Sequence, residues 1–180
     1  IMITIHKLFD RFQVSFQILY IIISDTSPIA NLIVIKHLEI LKSIFEEVIV
    51  PEHVDKEIRA LANDGEDISS YENADWISSV KNQNVALVNS LLEKIDPGES
   101  AAIALAIDLG ADLLLIDERK GTRIAKEMGL QTIGLLGAML IAKKRELIDK
   151  LGPLLEELEQ KAGFWMSESL KQRVLAAAGE

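Results

Sequence analysis

The chain has 180 residues, 49 % of them apolar, which is enough to bury the core of one domain. It contains no cysteine, which excludes disulfides and thiolate metal sites and favours a reducing, cytoplasmic setting. The formal net charge is −9, and no segment reaches the roughly 18 consecutive apolar residues of a membrane span, so membrane insertion is not expected.

Residues 1–17 stand apart from the rest of the sequence. Ile5, Leu8, Phe9, Phe12 and Phe16 recur at helical spacing, which predicts an amphipathic helix. The segment begins with Ile rather than Met, so a non-native leader is the alternative. We expect an N-terminal extension over these residues, of either origin.

From residue 18 onward, short apolar runs alternate with amphipathic segments. Strands are predicted at residues 18–23, 48–50, 76–80, 113–116 and 131–135. Helices are predicted at residues 28–45 in one or two pieces, 52–62, 84–94, 97–109 and 118–128. This alternation predicts a three-layer α/β/α sandwich around a central, mainly parallel sheet of four to five strands.

The C-terminal part of the sequence carries no strand signal. Helices are predicted at residues 138–150, 154–162 and 168–178, separated by glycine and proline. The expected organisation is therefore an N-terminal extension (1–17), an α/β domain (18–135) and a helical C-terminal extension (136–180).

Two aspartates lie where predicted strands end. Asp25 comes shortly after the first strand and Asp117 directly after the fourth. Ligands of an open parallel sheet bind at the carboxyl ends of its strands, so both side chains are expected to face a crevice. The structural alternative is N-capping of the helix that follows, a role that Asp favours.

Two glutamates lie on predicted helices. Glu57 borders the apolar stripe formed by Val54, Ile58 and Leu61, where a carboxylate is costly unless it is paired or bound to a metal. The alternative is a glutamate at the helix edge that extends into water. Glu99 follows the helix start Asp-Pro-Gly, in which Asp96 is the expected N-cap, and a place in this capping arrangement explains Glu99 well without excluding metal ligation.

The four acids come from four separate elements and would share one crevice. Clustered carboxylates repel each other unless cations lie between them. The three histidines are scattered, so any metal must rely on oxygen ligands, which favours Mg²⁺ or Mn²⁺. Such an ion activates a bound water and neutralises phosphate charge, so the pattern predicts hydrolysis of a phosphate ester.

Four segments in this order resemble the PIN-domain nucleases: IIISDTSPIAN at 21–31, VPEHVDKEI at 50–58, PGESAAIALA at 97–106 and LLLIDERKGTRIA at 113–125. Within this family, the sequence resembles the VapC-like prokaryotic proteins. Its C-terminal part also resembles the helical C-terminal extension of those proteins. No single motif is specific, but their order and spacing together are. The resemblance implies a metal-dependent ribonuclease that hydrolyses phosphodiester bonds of RNA, often as the toxin of a toxin–antitoxin pair, with an antitoxin partner and a homodimer.

The resemblance also implies roles for individual residues. The four family acids correspond to Asp25, Glu57, Glu99 and Asp117, and the hydroxyl positions beside the first acid correspond to Thr26 and Ser27. The third acid is commonly Asp in VapC-like proteins, so Glu99 departs from the pattern by one methylene. Glu118 is either a further ligand or an acid favoured by the dipole of the first helical turn.

Positive charge for a nucleic-acid substrate follows the fourth acid. Arg119 and Arg123 are spaced i, i+4 on one helix face and are the expected substrate-binding residues, with a solvated helix surface as the alternative. A competing hypothesis for the whole chain is a non-catalytic PIN-fold module that binds another protein. The acidic net charge and the departure at Glu99 motivate that hypothesis.

Overall fold

The computed structural model describes residues 20–180, which form an α/β structure around one five-stranded sheet. The strands are β1 (Ile22–Ser24), β2 (Val48–Pro51), β3 (Ile77–Val80), β4 (Leu113–Leu115) and β5 (Thr132–Ile133). Their order across the sheet is β3-β2-β1-β4-β5, and every neighbouring pair is parallel. The predicted α/β/α sandwich with a parallel sheet is confirmed.

The central strands are buried on both faces, as in other parallel sheets that are covered by helices. In β1, Ile22 and the fully buried Ile23 belong to two different hydrophobic cores. In β4, Leu113 and Leu115 lie in the first core and Leu114 in the second. Successive side chains of a strand point to opposite faces, so these cores are the two sides of one sheet. Burial of each such side chain contributes about 1.5–3 kcal/mol.

The described residues contain ten α-helices and one 3₁₀ helix, and the last three α-helices follow β5. The α-helices are α1 (Thr26–Val34), α2 (Glu39–Phe45), α3 (Glu52–Ala60), α4 (Ser69–Glu72), α5 (Val85–Leu92), α6 (Pro97–Asp108), α7 (Arg119–Glu127), α8 (Leu135–Lys144), α9 (Gly152–Gln160) and α10 (Glu168–Ala178). The 3₁₀ helix, Leu61–Asp64, follows α3. No helix within residues 20–180 combines the length and the apolar character needed to cross a membrane.

Several predicted helix bounds differ from the structure by a few residues, and the segment 28–45, predicted in one or two pieces, is in two. The segment 28–45 is two helices because Lys36 between them has a φ of 60°, which a right-handed helix cannot continue. The helix α8 begins at Leu135 rather than at residue 138. It ends well before residue 150, and Glu146, just beyond its end, also has a φ of 60°. The short helix α4 was not predicted.

The C-terminal helices pack onto the first core of the sheet. Leu155 and Leu158 of α9 are fully buried there, in the same core as Ile22. The Glu180 carboxylate accepts hydrogen bonds from the backbone of Leu151 at 2.7 Å and of the next residue at 3.0 Å, at the start of α9. The C-terminal extension (136–180) therefore folds against the sheet. The predicted N-terminal extension (1–17) lies outside the described residues.

Candidate active site

Two of the predicted acids lie at the carboxyl ends of β1 and β4. These strands are neighbours, with Ser24 paired to Leu115. The chain places β2 and β3 on one side of β1 and β4 on the other, so the strand order reverses between β1 and β4. A parallel sheet opens a crevice at such a switch point. Asp25 directly follows β1, and Asp117 lies just beyond β4.

Asp25 interacts electrostatically with each of the other three predicted acids. Its backbone N–H donates to Leu115 O at 3.0 Å, which fixes the end of β1 against β4. Its side chain occupies the N-cap position of α1 but makes no capping hydrogen bond, and the residue is only 5 % exposed. Burial raises the pKa of this carboxyl from 3.8 to about 7, and the charges of Asp96, Glu57 and Asp117 add to the shift.

Glu57 is held between its own helix and the β1–α1 junction. Val54 and Ile58 beside it are fully buried, whereas the Glu57 side chain is half-buried at 37 % exposure. Its Oε2 accepts a short hydrogen bond from the hydroxyl of Thr26. Its Oε1 lies 3.1 Å from His53 Nε2, one turn earlier on α3. Each oxygen of the Glu57 carboxylate therefore has a contact that orients it.

Glu99 is the most deeply buried of the four acids, with 2 % of the residue exposed. Its backbone N–H donates to Asp96 Oδ1 at 2.8 Å, so Asp96 is the N-cap of α6 as predicted. The Glu99 side chain extends towards α7, where its Oε1 has no hydrogen-bond partner. Burial raises the pKa of this carboxyl from 4.5 to about 7, and the charges of Asp96 and Asp25 add to the shift.

Asp117 links the end of β4 to the start of α8. Its Oδ1 accepts a hydrogen bond from the backbone N–H of Leu135 at 2.8 Å, and its Oδ2 is buried without a partner. Burial raises the pKa of this carboxyl from 3.8 to about 6, although the Leu135 hydrogen bond opposes the shift. Glu118 occupies the N-cap position of α7, so Asp117 does not cap this helix. The Glu118 side chain makes no capping hydrogen bond. Glu118 is exposed, and its charge adds to the raised pKa of Glu99.

Gly98, in the first turn of α6, brings the helix backbone against two of the carboxylates. A methyl group on Gly98 would stand 2.8 Å from Glu57 Oε2 and 2.9 Å from Asp25 Oδ1. It would also stand 3.1 Å from Thr26 Oγ1. A side chain at this position would therefore displace the acids that border it.

Two further glycines border the remaining acids. A methyl group on Gly121 of α7 would stand 2.7 Å from Glu99 Cδ and closer still to its Oε1. A methyl group on Gly134, the N-cap of α8, would stand 2.6 Å from Asp117 Oδ1. Each of the four carboxylates thus lies against a backbone that carries no side chain.

The four acids lie around one crevice without converging on one point. Among residues 20–180, no three histidine, aspartate or glutamate side chains stand close enough together to hold a metal ion. The donor set still fits a hard divalent cation, since all donors are oxygens. Two of these oxygens, Glu99 Oε1 and Asp117 Oδ2, are buried without a hydrogen-bond partner. A cation would satisfy them and relieve the mutual repulsion of the acids.

The other predicted site residues have different surroundings. Ser27 Oγ accepts a hydrogen bond from Asn31 Nδ2 at 3.3 Å, within α1. Arg119 and Arg123 are exposed on α7, and Arg123 lies 3.8 Å from Glu127 on the same helix. Arg119 lies in the first turn of α7, next to the crevice. Arg123 lies one turn further along the same helix.

Several neighbours of the acids were not predicted as site residues. They are His53, Asp96, Gly98, Gly121 and Gly134. The sequence signal for His53 is its i, i+4 spacing to the glutamate of α3. Asp96 was recognised only as a helix cap, and its effect on two carboxyl groups depends on tertiary contacts. The three glycines carry no local signal of their role, because the contact partner of each is remote in sequence.

A family model described as PIN domain matches residues 21–180. Because this match covers most of the chain, the chain belongs to the PIN-domain family. The family is of nuclease type: its members generally act on nucleic acids and generally use divalent metal ions. The resemblance seen in the sequence is confirmed at this level. A comparison with curated proteins found no match.

Proposed function

We propose that this protein is a divalent-metal-dependent endoribonuclease that hydrolyses phosphodiester bonds of RNA. In this proposal Asp25, Glu57, Glu99 and Asp117 hold Mg²⁺ or Mn²⁺ at the crevice between β1 and β4. Thr26 and Ser27 support the first acid, and Arg119 and Arg123 contact the substrate. The family match supports a nuclease, and the choice of RNA rests on the sequence resemblance.

The observation that carries the proposal is the electrostatic state of the crevice. Three carboxyl groups have pKa values raised to about 6 or 7 chiefly by burial, and two of their oxygens are buried without partners. Burying unpaired carboxylates is costly, and a cation offsets that cost. The proposal requires the carboxylates to draw closer together around the ion, because among residues 20–180 no three such side chains stand close enough to hold one.

In this reaction the residues of the crevice would have separate roles. A bound divalent ion would lower the pKa of a water molecule and neutralise charge on the phosphodiester. Asp25 and Asp117 lie at the ends of adjacent strands and would anchor the ion on rigid elements. The Thr26 hydroxyl holds one oxygen of Glu57 and would limit the rotation of that carboxylate. Arg119 in the first turn of α7 would donate hydrogen bonds to a phosphate of the bound RNA.

The test is a cleavage assay on single-stranded RNA with purified protein. We expect cleavage with Mg²⁺ or Mn²⁺, no cleavage with EDTA, and none with the Asp25→Asn variant. The matched control is Glu52→Gln, which makes the equivalent charge change at an exposed position of α3. Cleavage that survives EDTA, or full activity of Asp25→Asn, would contradict the proposal.

The finer biological role is also part of the proposal. A VapC-like toxin in the cytoplasm would act as a homodimer and be neutralised by an antitoxin protein. Sedimentation analysis of the purified chain tests the dimer, and a monomer at micromolar concentration contradicts it. Induced expression of the wild type should arrest growth, whereas Asp25→Asn should not. A neighbouring gene whose product relieves the arrest would identify the antitoxin.

The second candidate is a non-catalytic PIN-fold module that binds another protein. Two observations favour it: the net charge of −9, and the spread of the acids, which among residues 20–180 leaves no ready metal-binding group. Isothermal titration with Mn²⁺ separates the two functions. Stoichiometric binding that is lost in both Asp25→Asn and Asp117→Asn excludes the module, and absence of binding by the wild type excludes the nuclease.

A further inference from the structure

The ten glycines of the chain fall into two groups. Five have a positive φ, which explains why glycine is used there: Gly65, Gly110, Gly129, Gly163 and Gly179. A methyl group on any of these five would meet nothing within 4 Å. The other five lack a positive φ, and a methyl group on four of them would stand within 3.0 Å of a neighbouring atom.

Gly121 is the most crowded glycine of the second group. It is buried in α7, where helix propensity alone favours alanine. A methyl group there would stand 2.7 Å from Glu99 Cδ and 2.7 Å from Ile116 Cδ1, with Glu99 Oε1 nearer still. The Glu99 carboxyl therefore occupies the volume that a side chain at position 121 would fill.

The length of the side chain at position 99 makes this contact informative. Glu99 reaches from α6 across to α7, and with 2 % exposure it has no solvent-filled space into which it can swing. An aspartate at the same backbone position would end about one methylene earlier, before the volume beside Gly121. The long side chain of Glu99 therefore fits the space that is left open by the absent side chain of Gly121.

We propose that Gly121 is a positioning residue that forms the slot for the long side chain of Glu99, so that positions 99 and 121 are coupled. The effect on metal binding rests on the proposed function, whereas the steric coupling does not. A methyl group in the slot displaces the Glu99 carboxyl from its present position. Shortening the acid removes the conflict with the carboxyl group and leaves only the contact with Ile116 Cδ1.

The experiment is a double-mutant cycle with the wild type, Gly121→Ala, Glu99→Asp and the combined variant. In the wild-type background, Gly121→Ala should lower the Tm of the metal-free protein and weaken Mn²⁺ binding by about 10–100-fold, as other losses of support for a metal ligand do. In the Glu99→Asp background only the contact with Ile116 Cδ1 remains, so the same alanine should lower Tm by clearly less and cost less than about threefold in Mn²⁺ affinity.

The matched control is Gly137→Ala in α8. A methyl group there would stand 2.7 Å from Ile133 Cγ1 and 3.2 Å from its Cδ1, so it crowds an isoleucine without meeting a carboxylate. Its effect on Tm should be equal in both backgrounds, and it should leave Mn²⁺ affinity unchanged.

The proposal is overturned if Gly121→Ala costs the same Tm in the wild-type and Glu99→Asp backgrounds. If the wild type neither binds Mn²⁺ nor cleaves RNA, the proposed function fails. In that case the Tm comparison still tests the steric coupling between positions 99 and 121, because it needs no metal.

Discussion

Asp25, Glu99 and Asp117 share one physical condition: burial is the largest influence on the pKa of each carboxyl group. A folded-state pKa above the unfolded value means that the folded state keeps a proton that the unfolded chain releases. Stability is then fully present below about pH 4 and falls as the pH rises towards about 7, by about 1.4 kcal/mol per unit of pKa difference. A divalent cation in the crevice would take over the role of the proton.

Asp25→Asn should therefore stabilise the metal-free protein at high pH while it abolishes cleavage. The amide keeps the shape of the side chain and carries no charge, so the variant and the wild type should have similar Tm at pH 4. At pH 8 the variant should melt roughly 10 °C higher, because a pKa raised from 3.8 to about 7 corresponds to about 4 kcal/mol and each kcal/mol moves the Tm of a chain of this size by about 2–4 °C. Thermal unfolding in EDTA between pH 4 and 8 measures the difference.

Asp75→Asn is the control for this profile, because the Asp75 side chain is 90 % exposed. Its Tm should follow the wild type at every pH. Adding Mn²⁺ at pH 8 should raise the Tm of the wild type and of Asp75→Asn, but not that of Asp25→Asn. A Tm difference for Asp25→Asn that does not change with pH would show that the burial of charge is not its cause.

Thr26 offers a second test at the scale of one residue. Thr26→Val keeps the size of the side chain but removes the hydroxyl that donates to Glu57 Oε2. Mn²⁺ affinity should fall about tenfold, the lower end of the range for a lost hydrogen bond to a metal ligand. Thr26→Ser keeps the hydroxyl and should stay close to the wild type in a calorimetric titration. Equal losses in both variants would mean that the methyl group, not the hydroxyl, supports the site.

The elements that carry the site differ in how far the sequence predicts them. The helix α6 (Pro97–Asp108) agrees with its prediction, residues 97–109, because Asp-Pro marks its start and Gly110 its end. The prediction of a strand over residues 131–135 was too long, and α8 begins at Leu135. A short apolar run suits both a buried strand and a buried helix. The backbone N–H of Leu135, bonded to Asp117, marks the helix start only in the tertiary structure.

The residues of the candidate site also differ in how far the sequence predicts them. The four acids were predicted from strand ends and helix faces, which are local patterns. Asp96 and the glycines next to the acids were not, because their roles arise where α6 approaches β1 and α7. That approach depends on side-chain packing in the second core, such as Ile103 and Ile124, which a hydrophobic pattern predicts only as burial.

Glycine substitutions at two helix boundaries separate backbone strain from displacement of an acid. Gly129 follows α7 with a φ of 87° and open space around it, so Gly129→Ala should lower stability by about 1 kcal/mol and leave cleavage unchanged. Gly134 has a φ of −93°, which alanine tolerates, but a methyl group would stand 2.6 Å from Asp117 Oδ1. Gly134→Ala should therefore lose most of its cleavage activity.

Denaturant unfolding and kcat measured on the same samples test this contrast. Gly129→Ala should change the unfolding midpoint without changing kcat. If Gly134→Ala keeps full kcat, Asp117 does not need its present position for the reaction. If Gly129→Ala loses kcat in proportion to its stability, activity reports folding rather than the site.

For the molecule as a whole, the net charge of −9 opposes the approach of RNA, so binding must depend on local positive charge. The exposed face of α7 supplies it beside the crevice, with Arg119, Lys120, Arg123 and Lys126. Arg123 lies 3.8 Å from the Glu127 carboxylate, which offsets its positive charge. Arg119 should therefore contribute more to phosphate binding. Each phosphate contact to a single strand adds about 0.7 to the slope of log affinity against log salt.

Arg119→Gln, made in the inactive Asp25→Asn chain, should reduce that slope by about 0.7 and weaken binding similarly for unrelated RNA sequences. Fluorescence anisotropy with labelled single-stranded RNA, between about 50 and 200 mM salt, measures the slope. Arg173→Gln, on the C-terminal extension, removes the same charge from α10 and should leave the slope unchanged. If both variants reduce the slope equally, RNA responds to the net charge of the protein and α7 is not its binding face. If the Arg119→Gln slope equals that of its parent, α7 forms no phosphate contact through this residue, and the crevice must recruit RNA from another side.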